Sequence, residues 1–131
     1  MADSPSTWKY VGVWLLAAFL GNIASHIISA VSYSGARTHD DFVSAMAIGI
    51  PLEAVAIGVV IIAVYSFFPS LDMSAVFPWM VGLISIGVLI NLGVMASSGF
   101  DHGWIYFYQI ACTAAMLYGI RAFFKSNGRI A

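Results

Sequence analysis

Apolar residues run along this chain in four long blocks, each closed by a short cluster of charged residues or turn formers. The first block extends from about Tyr10 to Tyr33 and stops at "SGARTHDD". The second runs from about Phe42 to Phe68 and stops at "PSLD", and the third from about Val76 to Ser98, stopping at "GFDHG". The last covers about Trp104 to Phe124. Each block is roughly 20 residues or longer, the length a helix needs to cross a hydrocarbon core about 30 Å thick. Inside lipid every backbone polar group must find an internal partner, so such blocks are helical. The pattern predicts an all-α protein: an integral membrane bundle of four transmembrane helices, up-down-up-down, forming a single membrane domain over residues 1–131. Short linkers predict antiparallel packing of neighbours in the chain.

Composition supports this reading. The chain is 61% hydrophobic and 8% charged, with a mean hydropathy of +0.93, whereas a soluble domain carries about 25% charged residues. The first block is longer than the apolar region of a signal peptide and is read as a span. A formal net charge of −1 and the lack of a basic patch argue against nucleic acid as a partner. The expected partners are the lipid bilayer and further copies of the chain or other membrane subunits. Cys112 is the one cysteine, so no intrachain disulfide forms.

Charge also orients the spans. Lys9, Arg121, Lys125 and Arg129 fall on the side that carries both termini, and Arg37 alone falls on the other. By the positive-inside rule the expected location is the cell membrane, with both termini cytoplasmic. Aromatic residues mark both boundaries, among them Trp8, Trp79, Phe123 and Phe124 on one side and Phe42, Phe100 and Trp104 on the other.

Polar side chains change the picture within the spans. Counting at about 1.5 Å per residue from the ends opposite the termini puts His26 about 12 Å deep and Glu53 about 16 Å. The same count places Asn91 and Gln109 about 10 Å deep and Asn22 nearer 18 Å. Each span thus contributes a polar group to one half of the bilayer. In the first span Ala17, Gly21, Ser25 and Ser29 repeat every four residues, beside a second row of Ala18, Asn22, His26 and Ala30. Together the rows predict a small and polar inward face, which taken alone reads as helix packing. Bundling these faces is expected to bring His26 close to Glu53.

An acid at that depth is costly and rare. Glu53 is either a neutral hydrogen-bond donor or shares a proton with His26, and imidazole titrates near physiological pH. Pro51 removes a helical hydrogen bond, leaves the Ala47 carbonyl unpaired, and predicts a kink one turn before Glu53. Broken helices beside an acid recur in membrane binding sites, although proline is also tolerated in membrane helices without function. Haem or a metal at His26 needs further ligands, such as a second histidine or Glu53 and Cys112, and no spacing motif supplies them. The rim residues Arg37, His39, Asp40, Asp41, Asp101 and His102 read as the solvated end of the bundle, with attraction of cations toward the polar layer as the alternative. No nucleophilic triad, H-E-x-x-H, G-x-S-x-G or Walker motif is present, and no catalytic residue is assigned.

Four short spans with one membrane acid are similar in plan to the small multidrug-resistance transporters. Their essential acid lies in the first span, whereas Glu53 lies in the second, so the likeness is architectural and no residue is carried across. The expected function is that of a small transporter or channel component. Its site would comprise Glu53 and His26, with Asn22, Asn91 and Gln109 lining it beside the Pro51 kink. Alternatives are a non-catalytic subunit of a larger membrane complex and a haem- or metal-binding redox subunit.

Overall fold

The computed structural model describes residues 6–131; residues 1–5 of the expected domain lie outside the described residues. Four helices account for most of the chain: α1 (Thr7–Ser32), α2 (His39–Ser66), α3 (Met73–Ser97) and α4 (Gly103–Ser126). The first three are long and apolar enough to cross a membrane. Helix α4 has the length but is less apolar, because Tyr106, Tyr108, Gln109, Tyr118 and Arg121 interrupt it.

Helices α1, α2 and α3 begin about three residues before the apolar blocks do, since polar side chains close their first turns. Ser6 Oγ accepts from the Lys9 amide. Thr38 and Asp41 form a reciprocal capping box at the start of α2, and the Asp72 carboxylate accepts from the Ser74 amide at 3.0 Å. Each cap satisfies an amide that the helix itself leaves free. The C-termini of α3 and α4 use glycine instead. Gly99 and Gly128 both adopt φ of 82°, a left-handed conformation that costs other residues a Cβ clash. The Phe100 amide then bonds back to the Met95 carbonyl, and the Arg129 amide to the Phe124 carbonyl, the six-residue closure of a Schellman turn.

Helix α2 is the centre of the bundle. It packs along α1 on one side and along α4 on the other, while α3 touches α4 lightly. The α1/α2 pair is antiparallel, as short linkers predict. The α2/α4 pair is not a chain-neighbour pair: both helices start at one end, beside His39 and His102, and finish at the other, beside Tyr65 and Phe124. Small residues permit this, since a Cβ on Gly58 would stand 3.1 Å from Met116 Cγ.

The two ends of the bundle differ. At the end that holds the C-terminus and the start of α1, Val13, Ala17, Val64, Tyr65, Met73, Met80, Ile120, Phe124 and Ile130 form a buried core. The Schellman turn at Gly128 folds the last residues back over it. Arg129 Nη1 donates to the Tyr65 carbonyl at 2.6 Å, and Nη2 donates to those of Phe68 at 2.8 Å and Leu71 at 3.1 Å. These carbonyls terminate α2 and line the turn into α3, where a cation also meets the negative end of the helix dipole. Desolvation lowers the Arg129 pKa from its ordinary value. Lys9 Nζ donates to Ser70 Oγ at 2.8 Å, and the Asp72 amide to Tyr10 Oη at 3.0 Å. An apolar groove of about 600 Å³ opens between α1 and α3 here, walled by Tyr10, Trp14, Trp79 and Leu83. The far end has a smaller core of Met46, Ile50 and Ile105, flanked by Tyr33, Met95, Phe100 and Tyr108.

Candidate functional site

Glu53 lies half-buried on the α1-facing side of α2, and its Oε1 accepts a hydrogen bond from the Ser29 hydroxyl of α1. Ser29 belongs to the first four-residue row of α1, in which Ala17 and Gly21 are buried and Ser25 and Ser29 are partly so. That row is the seam with α2. One turn before Glu53, the Tyr33 ring lies over Gly49, where a Cβ would stand 3.0 Å from Tyr33 Oη. Tyr33 also stacks on Phe42, with ring centroids 4.7 Å apart. The acid thus sits at the α1/α2 seam, with Ser29 as its donor.

The expected pair of His26 and Glu53 is not formed. His26 is exposed, and no hydrogen bond or ion pair joins the two among the described residues. Helical phase accounts for this: His26 stands one residue past Ser25 of the seam, which turns it about 100° round the helix from that residue. Asn22, one step beyond Gly21, is exposed as well. The two rows of α1 therefore do different things, one packing on α2 and the other facing outward.

Asn91 is also exposed on α3, and its amide reaches Met95 Sδ at 3.8 Å. Gln109 is half-buried on α4, and its backbone carbonyl accepts from Thr113 Oγ1 at 2.9 Å. Of the five polar residues expected to share a site, Glu53 alone is held between α1 and α2.

Pro51 lies within α2, and the carbonyl that it leaves free has a partner. Tyr108 Oη of α4 donates to the Ala47 carbonyl at 2.6 Å. Cys112, one turn further along α4, is half-buried beside the Met46–Ile50–Ile105 cluster. The proline break is thus closed by α4, while Glu53 is satisfied by α1.

At the far end the fold unites residues that lie far apart in the chain. His39 opens α2, Asp101 and His102 precede α4, and their ligand atoms all lie within 4.8 Å of one another. No such cluster among the described residues contains His26, Glu53 or Cys112. Comparison with known proteins gives no match: no family model fits the chain, and no curated protein or solved structure is detectably similar to it.

Proposed function

We propose that this chain is a component of a membrane transporter or channel, active as an oligomer in the cell membrane with both termini cytoplasmic, and that Glu53 is its protonatable centre. The observation that carries this reading is the exposure of Asn22, His26 and Asn91 on a bundle with three helices long and apolar enough to cross a membrane. A polar side chain facing lipid loses its hydrogen bonds to water and gains none in return. A second copy of the chain covers these groups and supplies partners for them, and it builds the pathway that four short helices lack room to hold. His26 then acts across the subunit boundary rather than on the Glu53 of its own chain.

A non-catalytic subunit of a larger assembly is the second reading. It is favoured by the Tyr108–Ala47 and Ser29–Glu53 hydrogen bonds, which make the proline break and the acid into clasps between helices. Native mass spectrometry of the particle released from its own membrane by mild detergent separates the two. A homo-oligomer is expected under the first reading, and a mass that includes other polypeptides under the second. For the homo-oligomer, Glu53→Gln keeps an acceptor for Ser29 and is expected to fold, yet to abolish proton flux into proteoliposomes loaded with a pH-sensitive dye. Wild-type flux in that variant would overturn the role given to Glu53.

A further inference from the structure

We propose that His39, Asp101 and His102 form a binding site for a divalent transition-metal ion of the zinc class, clipping the start of α2 to the turn between α3 and α4. This site is separate from Glu53 and does not depend on the transport reading.

The donor set is two imidazoles and one carboxylate. Such a set suits Zn²⁺, Ni²⁺ or Cu²⁺, whereas Mg²⁺ and Ca²⁺ take oxygen ligands. Three protein ligands with a fourth position open to water form a recurrent zinc arrangement. Metal–ligand distances near 2.0–2.2 Å put the donors of a tetrahedral site about 3.3 Å apart. Here Asp101 Oδ1 is 2.9 Å from His102 Nδ1 and 3.8 Å from His39 Nε2, so small side-chain rotations bring all three onto one ion. The His39 and Asp101 side chains are 58% and 78% exposed and have room to turn.

The surroundings of His102 Nδ1 point the same way. The atom is shielded from solvent and has no hydrogen-bond partner. Asp101 Oδ1 is 2.9 Å away, but the contact does not have the geometry of a hydrogen bond. A polar atom buried without a partner is unfavourable. A metal ion between the two groups satisfies the nitrogen and the carboxylate together.

The backbone that carries the ligands is fixed. The capping box of Thr38 and Asp41 holds the start of α2, and so the position of His39. The left-handed turn at Gly99 delivers Phe100, whose carbonyl accepts from Tyr106 Oη at 2.8 Å. The His39 and His102 rings lie 5.2 Å apart, centroid to centroid, and the Phe100 ring packs beside both at 6.0 Å and 5.4 Å. Both ligand-bearing segments are helix starts, whose positive dipole ends oppose a cation. Asp40 and Asp41 in the first turn of α2 and Asp101 before α4 offset that charge.

The test uses full-length protein in mild detergent, without a polyhistidine tag, titrated with Zn²⁺ by isothermal calorimetry against a Mg²⁺ control. One equivalent of Zn²⁺ is expected to bind at micromolar concentration, and Mg²⁺ is not. The doubly substituted His39→Ala/His102→Ala protein, altered outside both buried cores, is expected to keep its helical circular dichroism and to bind at least tenfold more weakly. Co²⁺ substitution gives a second readout, a visible d–d spectrum without the thiolate charge-transfer band that Cys112 ligation brings. Zn²⁺ that binds the double variant as tightly as the wild type, binds only at millimolar concentration, or brings up the thiolate band would overturn the proposal.

Discussion

The Tyr108 hydroxyl donates to the Ala47 carbonyl at 2.6 Å, and this is the carbonyl that Pro51 deprives of its helical partner. Helix α4 thereby repairs a break in α2 and holds the two helices in register. Tyr108→Phe keeps the ring packed beside Met46, Ile50 and Ile105 but removes the donor. The expected cost is about 1 kcal/mol, measured by reversible unfolding in mixed detergent micelles. Pro51→Ala restores an amide able to reach Ala47, so Tyr108→Phe should cost much less in that background. An equal cost in both backgrounds would detach Tyr108 from the proline break.

The four helices are legible in the chain because each needs a long apolar block, and the blocks are separated by turn chemistry. Their starts are less so: Ser6, Thr38 and Asp72 are polar, and as caps they extend helices into stretches that read as linkers. The vacant Ala47 carbonyl follows from Pro51 alone, but its donor lies 61 positions along the chain and no local pattern names it. On α1 two rows of small and polar residues stand one residue apart. Periodicity identifies both, and only the tertiary fold decides that the Ser29 row meets α2 and the His26 row does not. The same limit applies to His39 and His102, whose proximity depends on the parallel packing of α2 with α4. Arg129 reads in sequence as one more positive charge, and its three carbonyl partners are set by the turn at Gly128.

The proposed topology has a direct check. Lys9, Arg121, Lys125 and Arg129 stand at one end of the helices and Arg37 at the other, and the positive-inside rule assigns the richer end of such a bundle to the cytoplasm. In a Cys112→Ser background, Asn127→Cys is expected to react with a membrane-impermeant maleimide only after cells are opened. Ser34→Cys, in the turn after α1, is expected to react in intact cells. The reverse pattern would invert the protein, and reaction at both positions in intact cells would remove the bilayer from between them.

Arg129 gives the most specific stability prediction, because its guanidinium joins three carbonyls and lies 5.2 Å from the centroid of the Phe124 ring. Hydrogen bonds from a charged donor contribute more than neutral ones, so Arg129→Ala should cost about 2 kcal/mol in the same unfolding measurement. Arg129→Lys should recover less than half of that, since an ammonium group lacks the planar fork that spans separate acceptors. Gly128→Ala should cost about 1 kcal/mol by opposing the left-handed turn that delivers the arginine. The acceptors are backbone carbonyls rather than carboxylates, so these losses should change little when salt is raised to a level that screens exposed ion pairs. A wild-type unfolding midpoint for Arg129→Ala would show that the C-terminal residues rest on the bundle without holding it. Loss of the Arg129 contribution in high salt would assign it instead to long-range charge.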